Sequence, residues 1–147
     1  MSIIKIFFLL PTKGKFLQNF ANNDQLKAQA ELVWRQLDGL SPIMFILSVI
    51  IGIGLAIYYY TGYNEVPGRH YKIKHWGLWA AIAFVLSLVV TAVIEYVGIK
   101  THLNSGLTSL YWLCAINNAL YCLILYFVTS VFWCNFCRTN AYKFLKF

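Results

Sequence analysis

Glu95 stands alone among apolar residues. It is the single acidic or basic residue in the run 76–99, W-G-L-W-A-A-I-A-F-V-L-S-L-V-V-T-A-V-I-E-Y-V-G-I. A carboxylate in hydrocarbon is costly, so one found there is normally paired, protonated or functional. Its chemistry would be that of an ion or proton site, a pore lining or a contact across an oligomer. The plainer reading is an interface-level carboxylate bonded to Lys100, His102 or a neighbouring helix. Glu95 lies about one turn from the end of its run, where snorkelling relieves much of the cost.

A second polar feature, Asn117-Asn118, falls in the middle of the apolar stretch 108–133. Asn118 shares a helix face with Cys114 and Cys122, four residues to either side. Amides at such depth hydrogen-bond between helices, at roughly 0.6 to 2 kcal/mol each. Adhesion between helices is therefore the default, with a permeation site the sharper alternative.

The remaining reactive types are less specific. Cys134-x-x-Cys137 has the spacing of a redox or zinc motif, but no second C-x-x-C accompanies it. Redox pairs normally open a helix in a thioredoxin-like context, and a zinc site needs two more ligands. Interfacial thiols are the simpler account. His70, His75 and His102 lack metal-ligand spacing and read as loop histidines, so neither a metal nor another cofactor is expected. The chain contains no GxSxG, HExxH, P-loop or dinucleotide fingerprint. Only 5 of its residues are Asp or Glu, and they are widely spaced. Catalysis is not expected.

What must position these residues is a membrane. The 147-residue chain is 60% hydrophobic and 12% charged, against about 25% charged in soluble domains. A net charge of +7 would suggest nucleic acid in a soluble protein. Here the bases flank apolar runs, which points to anionic head groups instead and to no nucleic acid partner. The four cysteines all lie in the last third and do not form a secreted disulfide framework. The opening M-S-I-I-K-I-F-F-L-L-P has no small-residue cleavage site and is not read as a signal peptide.

The expected fold class is an all-α integral membrane protein, with about three transmembrane helices preceded by an N-terminal amphipathic interfacial helix. Residues 1–42 form the interfacial segment, 43–133 the three-helix transmembrane domain and 134–147 a basic aromatic tail. Residues 1–10 are too short to span and are expected at the interface or against a neighbour. In the amphipathic helix, 22–37, Asn22 or Asn23 caps the start, and Leu26, Ala30, Val33 and Leu37 share a face beside Trp34. These five residues are the candidates for contact with a membrane surface or a partner, or with the protein's own bundle. Asp38-Gly39 reads as a stop and Ser41-Pro42 as a new start.

The first span, 43–61, carries Ser48, Gly52 and Ala56 at intervals of four, and Tyr58 to Tyr60 form an interfacial belt. The second, 76–99, carries Ala83, Ser87, Thr91 and Glu95 at the same interval. Small residues in such stripes let backbones approach closely, so spans one and two are expected to pack stripe to stripe. With Asn117, Asn118 and Cys122 on the third span, these are the candidate helix-packing or pore-lining residues.

Three spans place the termini on opposite sides. The whole count of bases ties between the two sides. Counting only those close to span ends leaves Lys27, Arg35 and Lys100 on the N-terminal side. Against them stand Arg69, Lys72, Lys74, Arg138, Lys143 and Lys146. That favours an outside N-terminus. An amphipathic N-terminal segment without a secretion signal argues the other way, so both orientations stay open.

The expected function is that of a non-catalytic membrane protein of the plasma (inner) membrane, embedded in the lipid bilayer and assembling laterally through its small and polar stripes. It would act as a homo-oligomer, or as the anchor or scaffold of a larger membrane complex. The alternative is a pore-forming or membrane-permeabilising protein, such as a holin, a toxic membrane effector or an ion channel, with Ser87, Thr91, Glu95 and Asn118 lining a water path.

Overall fold

The computed structural model describes residues 11–65, 72–99, 108–138 and 145–146. They form a short helix α1 (Lys13–Gln18), three long helices α2 (Asp24–Thr61), α3 (Ile73–Gly98) and α4 (Thr108–Phe136), and a 3-10 turn, Tyr63–Glu65. No strand occurs among the described residues. Three helices are long and apolar enough to cross a membrane. Residues 1–10, His70, the connection 100–107 with Lys100 and His102, and 139–144 of the tail lie outside the described residues.

Local sequence explains each start. Asn23 caps α2: its Oδ1 accepts from the backbone N–H of Gln25 at 3.1 Å and of Leu26 at 3.3 Å, while Asp24 faces the positive end of the helix. At the head of α3, Lys72 donates its N–H to His75 Nδ1 at 3.3 Å, and His75 returns its own N–H to the Lys72 carbonyl at 2.9 Å. His75 thus serves as a cap.

One expectation fails. The stop at Asp38-Gly39 and new start at Ser41-Pro42 do not divide the chain there, because α2 runs unbroken for 38 residues with Pro42 inside it. Proline has no N–H to give the carbonyl four residues back, here that of Asp38. The Ser41 hydroxyl supplies the missing donor, reaching the Asp38 oxygen at 2.9 Å. Gly39 is exposed with open space around its Cα, so nothing forces a turn at that point. The boundary between residues 42 and 43 therefore falls inside α2, and that between 133 and 134 inside α4.

The chain divides into two compact units, to which each long helix contributes a part. The first comprises Met1–Ile46 and Leu88–Asn118. In it the α1 side chain Phe16 is buried, with ring centroids 5.4 Å from Phe20 and 5.5 Å from Trp34. Ala30, Val33, Trp34 and Leu37 are buried within the chain and Leu26 is partly covered. Outside this contact Glu31 accepts from Lys13 at 3.0 Å and from Arg35 at 3.5 Å. Lys13, bonded to Glu31 and charged, holds that carboxyl below its ordinary value, and Arg35 adds to the effect. At the end of α3, Gly98 lies against Leu40, so a Cβ there would come 2.6 Å from a Leu40 methyl.

The second unit comprises Leu47–Ser87 and Ala119–Phe147. Its core joins Ala56 of α2, Ala80 and Ala83 of α3, and Cys122 and Tyr126 of α4. The small residues bring backbones together here. Ser48 and Ser87 hydroxyls meet at 3.0 Å, so the first two stripes do face each other at that level. Gly52 instead lies against α4, where an added Cβ would stand 2.6 Å from the Cys122 carbonyl oxygen. A second core holds Tyr59, Tyr60, Cys134 and Leu145 with Tyr63, Trp76, Trp79 and Trp133 packed on it. Asn135 ties the tail back, donating to the carbonyls of Val131 at 2.8 Å and Leu145 at 3.0 Å. The opposite faces are aliphatic and exposed, as at Leu78, Ile82, Val85, Val89 and Val93 of α3. A surface of that kind suits lipid.

Candidate functional site

Every residue of the two small-and-polar stripes is buried: Ser48 and Ala56 on α2, and Ala83, Ser87, Thr91 and Glu95 on α3. Gly52 is buried as well. On α4, Asn117, Asn118 and Cys122 are fully enclosed. The reason lies in the helical interval. Residues four apart lie along one inclined row of a helix surface, and such rows are what one helix offers another at close approach. On α4 the row is longer than the residues singled out from sequence. Cys114, Asn118, Cys122, Tyr126, Ser130 and Cys134 recur every four positions and are all buried.

In the second unit this row bonds to its neighbours. Cys122 donates to the Ala83 carbonyl at 3.4 Å, and Trp76 Nε1 donates to Ser130 Oγ at 3.0 Å. Ser130 passes its own hydrogen to the Tyr126 carbonyl at 2.8 Å, and the Tyr126 hydroxyl reaches the Trp76 carbonyl at 3.5 Å. Tyr60 and Cys134 meet at 3.4 Å. Cys134 is therefore a buried thiol with a phenol beside it, whereas Cys137 is partly exposed, and neither is in a disulfide among the described residues. These groups are mutually satisfied, as buried polar groups should be.

The first unit differs. Glu95 is 3% exposed, and its carboxyl is hydrogen-bonded by the Cys114 thiol of α4. That contact sets the two helices side by side. One turn back along α3 is Thr91, and one turn on along α4 is Asn118. In the other direction on α4, three residues before Cys114, is Tyr111, within electrostatic reach of Glu95. Several of these atoms lack a hydrogen-bond partner: Glu95 Oε1, the Tyr111 hydroxyl, and both the oxygen and the nitrogen of the Asn118 amide. Glu95 belongs to no ion pair among the described residues, where the carboxylate of Glu31 holds both of the cations that form one. An unpaired buried amide or carboxyl costs about 1–3 kcal/mol or more, so each of these atoms calls for a partner.

Tyr111 was not among the residues singled out from sequence. Its signal was present: it falls on the α4 face of Cys114 and Asn118, at intervals of three and seven. Ser130 and Tyr126 could likewise have been found by extending the Asn118–Cys122 interval. No group of three or more His, Cys, Asp or Glu side chains suited to a metal ion occurs among the described residues. The unpartnered atoms of Glu95, Tyr111 and Asn118 are instead oxygens and one amide nitrogen.

No family model matches this chain, and no curated protein or solved structure matches it. The functional reading therefore rests on residues alone.

Proposed function

We propose that the chain is a non-catalytic integral membrane protein of the plasma (inner) membrane that serves as the anchor subunit of a larger membrane complex. The observation that carries this reading is the continuity of α2. Its 38 residues rise about 57 Å, against roughly 30 Å of hydrocarbon. Measured from Leu40, which sits level with Gly98 at the end of α3, the segment 24–39 extends about 24 Å further. A helix that leaves the span without a hinge holds whatever it carries at a fixed position above the membrane. Here it carries α1, through Phe16 and Trp34 and through the Lys13–Glu31 ion pair. The outward surface of this arm, with Leu32 51% exposed beside Arg35, is free to meet another subunit. The stripes of the three spans are buried inside the chain, so lateral contacts fall to the outer faces and the arm.

Photo-crosslinking in membranes of the native host tests this. A benzophenone amino acid at Leu32 is expected to give a polypeptide adduct of defined mass, and the same group at Val85 only lipid adducts. An adduct at twice the mass of the chain would make the partner a second copy. Absence of any polypeptide adduct at Leu32, with the protein inserted, would remove the anchor reading.

The alternative, a pore or permeabilising protein, draws support from Thr91, Glu95 and Asn118, polar residues buried within two apolar helices. Expression alone in a bacterial host would then depolarise the membrane, and Glu95→Ala and Asn118→Leu would abolish the effect. An unchanged potential with intact protein would exclude it.

A further inference from the structure

We propose that the end of the second unit where α3 begins and α4 finishes is seated on the head groups of anionic phospholipids. This goes beyond the anchoring role and does not depend on it. The first ground is an excess of charge. Segments 47–87 and 119–147 together hold the bases Arg69, Lys72, Lys74, Arg138, Lys143 and Lys146 against one acid, Glu65. Arg69 and Lys143 lie outside the described residues. The other four are exposed, and none belongs to an ion pair among the described residues. The arm differs: residues 11–46 set Lys13, Lys15, Lys27 and Arg35 against Asp24, Glu31 and Asp38, and Glu31 pairs with two of those bases.

The second ground is that the fold gathers the four bases. Trp76, one turn into α3, donates to Ser130 of α4 at 3.0 Å, so Lys72 and Lys74 start beside the last turns of α4. Arg138 follows directly on the end of that helix. Leu145 is buried with Tyr59, Tyr60 and Cys134, and Asn135 donates to its carbonyl at 3.0 Å, which brings Lys146 back to the same end. No acidic residue stands in the first turn of α3, so the positive end of that helix adds to the charge, whereas α2 meets Asp24. Like charges held together repel, and an anion laid against them relieves the repulsion.

The third ground is depth. Tyr58 is 50% exposed at this end, and Tyr63, Trp76, Trp79 and Trp133 are partly exposed. Rings with an apolar body and a polar tip collect at the level of the lipid head groups. The bases stand beside these rings, where lipid phosphate lies. Its oxygens accept from the lysine ammonium and the arginine fork, while the acyl chain runs along the rings. Each base near a membrane surface adds about fivefold to the affinity for anionic lipid.

The experiment uses the full chain in nanodiscs that mix phosphatidylcholine with phosphatidylglycerol, one or the other brominated near the head group. Bromine quenches a tryptophan that it touches. In a Trp112→Phe background the quenched signal comes from Trp76, Trp79 and Trp133, because Trp34 is buried. Expected is a preference for phosphatidylglycerol of about fivefold or more at low ionic strength, falling as salt screens the charges. Lys72→Gln, Lys74→Gln, Arg138→Gln and Lys146→Gln made together should leave the two lipids about equal. Lys72→Arg, Lys74→Arg and Lys146→Arg made together should keep the preference, and so should Lys15→Gln with Lys27→Gln in the arm. No preference in the parent would overturn the proposal and leave this end to an acidic protein. An equal loss in the arm variant would also overturn it, since the preference would then follow net charge alone.

Discussion

Ser41 donates its hydroxyl to the Asp38 carbonyl at 2.9 Å, and that carbonyl is the one Pro42 deprives of its helical donor. The two residues together keep α2 continuous. A proline in mid-helix costs about 3 kcal/mol or more, part of it through the lost hydrogen bond. Ser41→Ala should therefore destabilise the protein by about 0.5–1.5 kcal/mol, because the Asp38 carbonyl loses the hydroxyl that stands in for the proline N–H. Adding Pro42→Ala to Ser41→Ala restores a backbone N–H and should recover the loss. Unfolding in mixed micelles, read as a double-mutant cycle, checks this: equal penalties with and without Pro42 would show that Ser41 acts by some other route.

Gly52 gives a second prediction. A Cβ at this position would stand 2.6 Å from the Cys122 carbonyl oxygen and 3.3 Å from the Leu125 Cβ. Backbone cannot yield as a flexible side chain can, so the helices must separate. Gly52→Ala is expected to cost about 1–3 kcal/mol, as overpacking typically does. Gly54, two residues on, has nothing within 4 Å of the same added atom. Gly54→Ala should be neutral or slightly stabilising, since alanine favours helix by about 1 kcal/mol over glycine. The pair of variants separates a packing effect from a general intolerance of alanine.

These two sites also mark how far the sequence could be read. The stripe of Ser48, Gly52 and Ala56 was plain from its interval of four, because helical spacing alone puts those residues on one face. Which helix the stripe meets was not plain, since that depends on crossing geometry: Ser48 meets Ser87 of α3, but Gly52 meets Cys122 of α4. The turn expected at 38–42 went wrong for a local reason. Glycine and proline are stop signals only where the freed backbone groups find no other partner, and one serine hydroxyl was enough to supply one. At the candidate site, the Asn118–Cys122 face was legible. The Glu95–Cys114 contact was not, because nothing in either helix fixes its alignment with the other.

The Ser48–Ser87 pair predicts a modest interaction. Two hydroxyls 3.0 Å apart and buried within the chain exchange one hydrogen bond. In membrane proteins such bonds average about 0.6 kcal/mol in double-mutant cycles, because the separated helices find other partners. The coupling between Ser48→Ala and Ser87→Ala should fall near that value. A coupling above about 2 kcal/mol would instead mark the pair as part of a larger network.

The arm outside the spans responds to acid. Lys13, followed by Arg35, holds the Glu31 carboxyl below its ordinary value of 4.5. A carboxylate with a lowered folded value adds stability that is complete above its unfolded value, and that stability is lost as pH falls through the folded one. The loss should therefore begin near pH 4.5 and continue below it. Glu31 is well exposed, so the effect is small and shrinks further as salt screens the pair. Its readout is the docking of α1, followed by Trp34 fluorescence because Phe16 lies against that ring. A background with the other tryptophans replaced isolates the signal. Wild type should show a transition below pH 4.5 that Glu31→Gln lacks. The same transition in both proteins would place the acid-sensitive contact elsewhere in the arm.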